Sequence, residues 1–157
     1  VEGKEIYDRL LTKFGETVIG EVQLEGCDPP AIYATAGKIP EVLQFLRDDE
    51  ALAFDSLMSL SGVDFDDRIE VVYHLHSMEK RHKLAVKTKL DRERPRVPTV
   101  ESIHPVANFH EREAFDLFGI VFEEHSDLRR ILLPDDWPGH PLRKDYTYPD
   151  EYHGIKI

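Results

Sequence analysis

Residues 69–90 read IEVVYHLHSMEKRHKLAVKTKL, and the fold turns on how this stretch pairs. Ile69 to His76 is rich in β-branched and aromatic residues. Lys83 to Leu90 sets Lys83, Lys87 and Lys89 on one side and Leu84, Val86 and Leu90 on the other, which is the two-residue period of a half-buried strand. The linker between them, Ser77 to Arg81, is short and polar. Two such strands predict an antiparallel hairpin.

Upstream of the hairpin, Phe54 to Phe65 is apolar and bounded by acidic loops, so it reads as a strand or a mixed segment before a turn at Asp64 to Arg68. Ala31 to Thr35 is a short strand. Thr17 to Leu24 is another, with Val18, Gly20, Val22 and Leu24 on one face. Lys4 to Phe14 carries the helical stripe Ile6, Tyr7, Leu10, Leu11 and Phe14, and Gly15 stops it. Pro40 opens a second helix reaching Arg47, with Ile39, Val42, Leu43 and Leu46 inward. Downstream, Asp91 to Pro98 is a connector carrying Arg92, Arg94 and Arg96, and Thr99 to Ile103 suits a short helical turn. Asn108 to Phe118 reads as a helix capped by Asn108, with Glu111 completing a capping box and Gly119 ending it. Ile120 to Phe122 is a short strand. Beyond it periodicity fades into Pro134, Pro138, Gly139, Pro141 and Pro149. This order predicts an α+β fold: a mostly antiparallel sheet, helices packed on one face, and an extended irregular C-terminal tail. The expected organisation is a core domain over 1–106, then a helix and partner-docking tail over 107–157.

The 157 residues are 41% apolar and 32% charged, which is globular composition. Twenty Lys and Arg against 31 Asp and Glu leave a net charge of −11. Such a chain repels nucleic-acid phosphates and anionic lipid. No apolar run approaches the ~20 residues that cross a bilayer, so direct membrane insertion is not expected. The first residues, VEGKEIYDRL, lack the apolar core of a signal peptide. The one cysteine, Cys27, cannot hold an iron–sulfur cluster and reads as a loop residue beside Pro29 and Pro30.

Few constellations suggest catalysis. There is no phosphate-binding glycine loop, nucleophile elbow or HExxH helix. The pairs Asp48–Asp49 and Asp66–Asp67 read as solvated turns. His74 and His76 leave one face of their strand, a metal-like spacing, so solvated histidines and a metal site built on His74 and His76 are the two readings. A third ligand could come from the partner strand, but His82 has the parity of the apolar set, and the polar face offers lysines instead.

The remaining cluster is EREAFDLFGIVFEEHSDLRRILLPDDWPGHPLRKDY, residues 111–146. On a helical wheel Ala107, Ala114, Phe115, Leu117 and Phe118 form one face, with Glu111 inside it. Arg112, Glu113 and Asp116 lie opposite, with Arg112 and Asp116 spaced to pair. A carboxylate in an apolar stripe must find a partner; for Glu111 that is either its own helix start or an arginine among Arg129, Arg130 and Arg143. The tail mixes Ile131, Leu132, Leu133 and Trp137 with these arginines and has no helical period. Trp and Arg dominate protein interfaces, so the tail is expected to be an ordered docking segment rather than a flexible charged tail, with its order in the isolated chain left open.

This stretch closely resembles the signature of the 30 kDa subunit family of respiratory complex I, known in bacterial NADH:quinone oxidoreductase as the C subunit. The matching motifs are ERE-x-x-DLFGI-x-F, H-x-DLRRIL and GHPLRKDY. Ser126 stands where the family commonly has proline, and Phe109 where tryptophan is usual. The resemblance implies an α+β, cofactor-free, non-catalytic subunit of the peripheral arm, on the cytoplasmic face of the plasma membrane. It implies docking on the large quinone-pocket subunit and neighbouring arm subunits. FMN, iron–sulfur clusters, NADH and quinone would belong to the complex as a whole. Glu111, Arg112, Glu113 and Asp116 match the helix signature, and Arg129, Arg130, His140, Arg143, Lys144 and Asp145 the tail signature; these, with Trp137, are the expected interface residues. Related hydrogenase, ferredoxin-linked and coenzyme F420-linked complexes share the signature, which leaves the electron donor open.

Overall fold

In the computed structural model, which describes residues 2–157, the expected hairpin forms. Counting strands and helices along the chain, β4 (Arg68–His76) pairs antiparallel with β5 (Lys83–Asp91), Arg68 opposite Asp91, Tyr73 opposite Val86 and His76 opposite Lys83. The apolar segment upstream resolves as strand β3 (Ser56–Asp64), antiparallel to β4. Its mixed pattern comes from a register shift at Met58, between Leu57 and Ser59. On the other side of β5 lies β2 (Ala31–Ala34), in parallel, then β1 (Ile19–Gln23), antiparallel to β2. The five-stranded order is β1-β2-β5-β4-β3, mostly antiparallel as expected.

Two sequence expectations shift here. β1 does not keep one alternation: Ile19 faces Ala34 while Val22 faces Ile32, so one extra residue sits in the edge strand. That bulge turns Ile19, rather than Gly20, into the core, where it is 1% exposed. The connector after β5 also contains a strand, β6 (Arg96–Pro98), parallel to β7 (Val121–Glu123).

Three helices supply the rest: α1 (Gly3–Phe14), α2 (Ile39–Asp48) and α3 (Ala107–Phe118). Their apolar stripes bury Ile6 and Leu10 of α1, Ile39, Val42, Leu43 and Leu46 of α2, and Ala107 and Ala114 of α3. All join one cluster with Ile69, Val71, Tyr73 and Leu75 of β4 and Leu84, Val86 and Leu90 of β5. The alternate set, Ala31, Val72 and Ala85, forms a thin layer on the opposite face. The helices therefore cover one face of the sheet. Full burial of each large aliphatic side chain stabilises by about 1.5–3 kcal/mol, so this layer dominates the folding energy.

α3 begins differently from its sequence reading. Its N-cap position is Val106, with no side-chain cap. Backbone bonds from His104 N to Val100 O, Ala107 N to His104 O and Asn108 N to Pro105 O wind the chain into the helix without an Asn cap. Asn108 instead donates to Glu101 (2.6 Å) and Ser126. At the other end Gly119 adopts φ 74° and returns its N–H to Phe115 O, the glycine stop predicted. After β7 the chain runs through turns to a two-strand hairpin, β8 (Glu151–Tyr152) and β9 (Ile155–Lys156).

Candidate partner-docking site

The end of α3 shows what the tail does. The last four carbonyls of a helix lack partners inside it. Here every one is filled. Phe115 O accepts from Gly119 N. Asp116 O accepts from Arg130 Nη1 (3.1 Å) and faces His140 Nδ1 (3.0 Å). Leu117 O accepts from Leu142 N at 3.0 Å. Phe118 O accepts from Arg143 Nε at 2.6 Å. Two arginines at a helix C-terminus also meet the negative end of its dipole. The His140 ring lies against Gly119, where an added Cβ would come within 2.6 Å of it. The two motifs, one on the helix and one in the tail, are thus halves of a single cap.

Asp116 is the centre of the cap. Its side chain is fully buried. Oδ1 accepts from Arg130 Nη1 at 2.9 Å, and Oδ2 accepts the successive amides of Ile131, Leu132 and Leu133 at 3.1, 2.7 and 2.9 Å. Burial pushes its pKa up, but the Leu133 amide, the Arg130 guanidinium and the other two amides outweigh that and hold it below the usual carboxylate range. Arg130 completes its fork on Trp137 O (2.8 Å) and Gly139 O (3.0 Å). Arg112, also buried, donates to Arg129 O and Arg130 O. The expected Arg112–Asp116 pair does not form, because the tail runs along this side of α3 and offers carbonyls to the cation and amides to the anion.

The tail then reaches the sheet. Lys144 N donates to Asp64 Oδ2 at 2.8 Å. Arg92 bonds the other Asp64 oxygen and Phe65 O, and pairs with Asp145 at 3.2 Å. Arg143 Nη1 adds Arg92 O at 3.3 Å. Trp137 Nε1 donates to the Tyr146 hydroxyl, which donates to Pro138 O, both at 3.0 Å. Asp64 and Arg92 were not among the sequence candidates. Their only signal was charge in a turn and in a connector, and their role depends on residues about eighty and fifty positions away.

Glu111 follows neither of its sequence readings. It is fully buried and accepts from Thr99 Oγ1 (2.5 Å) and Val100 N (2.8 Å), tying α3 to the segment after β6. The reason is geometric: α3 starts one turn into a loop that already satisfies itself, and the tail arginines converge on the far end of the helix. Burial raises the Glu111 pKa to about 7, against the lowering effect of Thr99 and Val100. His125 stands 3.8 Å away; its Nδ1 accepts from Asp127 N, so its hydrogen lies on Nε2, toward Asn108 O.

Not every candidate is used inside the chain. Glu113 is exposed. Arg129 is exposed, and among the described residues its side chain bonds only Asp127. Lys144 sets its amine 3.3 Å from the exposed Asp66. Large apolar side chains are exposed beside these charges: Leu132 is 63% exposed, Leu142 52% and Ile131 38%, with Phe109 of α3 at 60%. His74 faces Ser59 Oγ at 3.1 Å. Among the described residues no group of three His, Cys, Asp or Glu side chains could hold a metal, and His82 turns into the sheet against Phe54 and Leu52 O. Cys27 is exposed, with Sγ 2.9 Å from Gln23 O.

Residues 32–152 match the family described as respiratory-chain NADH dehydrogenase, 30 Kd subunit. The NADH-quinone oxidoreductase C subunit from Chloroherpeton thalassium is 54% identical over 72% of this chain, which spans about half (48%) of that protein's length. Its counterpart from a Roseiflexus species is 43% identical over 89% of this chain and 81% of its own length. Two solved structures are similar. A chain of the membrane-bound sulfane sulfur reductase, an archaeal respiratory membrane complex, has a TM-score of 0.76 and 30% identity, over 92% of this chain and 85% of that one. A trypsin-resistant fragment of Nqo5 has a TM-score of 0.63 and 29% identity, over 78% of this chain and 99% of the fragment.

Proposed function

This chain belongs to the family of 30 kDa subunits of respiratory-chain NADH dehydrogenase, and from that premise we propose that it is a cofactor-free, non-catalytic subunit of a proton-translocating NADH:quinone oxidoreductase. On this reading it docks on the large quinone-pocket subunit and neighbouring arm subunits, with 1–106 as the core and 107–157 as the docking part. The flavin, clusters, NADH and quinone are handled by other chains. It sits peripherally on the cytoplasmic face of the plasma membrane; in support, no helix among the described residues is long and apolar enough to cross a bilayer.

One observation carries the docking role. The tail turns two of its arginines onto the helix end and leaves a set of large apolar side chains exposed among its other charges. Asp116, Arg130 and Arg143 are consumed by the cap, while Ile131, Leu132, Leu142 and Phe109 face solvent. A fixed backbone bearing exposed apolar side chains loses little entropy on binding, which favours affinity. The signature arginines then serve docking indirectly, by holding the surface in shape.

The test uses a tagged chain expressed with the rest of its enzyme. Leu132→Asp and Phe109→Asp should abolish co-purification of the large subunit while the isolated variants unfold at the wild-type midpoint. Undiminished co-purification by both variants would remove the tail from the interface. Similarity to the sulfane sulfur reductase chain favours one second reading, an equivalent subunit of a related complex with another electron donor or acceptor. NADH-dependent quinone reduction by the purified complex separates the two.

A further inference from the structure

We propose that the free edge of β3, with the groove between it and α3, receives one extended basic segment of a partner subunit as a sixth strand. This rests on the proposed function, in which the chain works as one subunit of a larger complex.

The strand order leaves two edges, β1 and β3. β1 is defended: it carries a bulge and Glu21, whose carboxylate holds Lys89 at 3.1 Å. β3 is defended only at its start, by the shift at Met58. From Ser59 to Val63 it reads Ser-Leu-Ser-Gly-Val, with no charge and no proline. Among the described residues no strand pairs with its outer side. An open, uncharged edge of that kind promotes unwanted pairing unless something covers it.

The surroundings specify the occupant. At Gly62 an added Cβ would lie 2.7 Å from the Phe118 ring, so glycine lets α3 come close to the strand. Between them runs a groove of about 220 Å³, lined by Leu60, Gly62, Leu117, Phe118, Leu142 and Glu113. That exceeds the ~150 Å³ of an apolar cavity able to take benzene, so one large apolar side chain fits. Glu113 is the acid that α3 leaves over. Glu111 and Asp116 are buried and bonded, whereas Glu113 is exposed with no hydrogen bond or ion pair among the described residues. A carboxylate beside an uncharged strand edge fits an incoming strand bearing Lys or Arg. A second copy fits poorly, because it brings another Glu113 and another −11 charge to the same face. In strand addition the backbone bonds give affinity and alternate side chains give selectivity. Here those are an apolar residue for the groove and a cation for Glu113.

Hydrogen exchange of the free chain, and of the chain within the complex isolated through its tag, is the experiment. Amides 59–63 should gain at least tenfold protection on assembly. Glu113→Lys and Ser61→Lys, both at exposed positions, should each weaken assembly at least tenfold, with unfolding of the isolated chain unchanged. A complex that forms without new protection over 59–63, and tolerates both variants, overturns the edge assignment and leaves the docking reading standing. A wild-type chain that captures no partner overturns both. Protection of 59–63 through dimerisation of the isolated chain overturns the basic-partner assignment.

Discussion

The β4–β5 hairpin and the tail after Gly119 are both ordered, but by different forces. The hairpin is held by area: Val71, Tyr73, Leu84 and Val86 are fully buried against the helices. The tail buries little apolar surface and is held by direction, with polar atoms aimed at the end of one helix and at one buried carboxylate. Area tolerates imprecise partners, whereas a hydrogen-bonded cap does not, since removing one member leaves another buried and unpaired. The tail is therefore expected to be the more brittle of the two, although it lies on the surface.

Glu111 and Asp116 repeat the contrast within α3. Both are buried. Glu111 has one amide and one hydroxyl and no cation bonded to it, so burial wins and its pKa rises. Asp116 has three amides and an arginine, so its pKa falls. Stability follows with opposite signs. A raised folded pKa means the folded state holds the proton more tightly, so the Glu111 contribution is complete below the unfolded value near 4.5 and fades as pH rises to about 7. A lowered folded pKa means the Asp116 contribution is present above about 3.8 and is lost as pH falls further.

The sharpest way to break the contrast is Asp116→Ala. It strands a mostly buried arginine and three amides, and should cost about 3–5 kcal/mol of tail stability. Hydrogen exchange should show amides 128–146 opening while 69–90 keep their protection. Equal loss in both regions would mean that the cap and the sheet are one cooperative unit. Leu84→Ala is the converse, removing buried area from the hairpin at a cost of about 3 kcal/mol. Urea unfolding should show the whole chain destabilised, tail included. Glu111→Gln should flatten a pH dependence worth up to about 3 kcal/mol between pH 4.5 and 7. Urea midpoints across that range measure it, and a wild-type slope retained in the variant would place the proton elsewhere. Lys144→Ala is the smallest. Its amine pairs with the exposed Asp66, so the change should stay under about 0.5 kcal/mol by thermal unfolding, although its backbone amide is part of the dock.

The helices, most of the sheet strands and the hairpin were readable because burial imposes a period on the chain, 3.6 in α1 and α2 and 2 in β5. Where a bulge interrupts that period, as in β1 and at Met58, the pattern misleads. The helix stop at Gly119 was readable because a left-handed residue is a local requirement. The partners of the charged residues were not. Glu111 was expected on an arginine or at its own helix start and found Thr99; Arg112 and Asp116 were expected on each other and found the tail.

By itself, then, the sequence determined the fold class, through periodic burial, and the family, through a long motif. Tertiary structure alone decided what the motif's charges do. Hydrogen bonds between residues 14 to 80 positions apart leave no period in a sequence. Only the folded path shows that Asp116, Arg130 and Arg143 close a helix end, while Leu132 and Glu113 are left facing out.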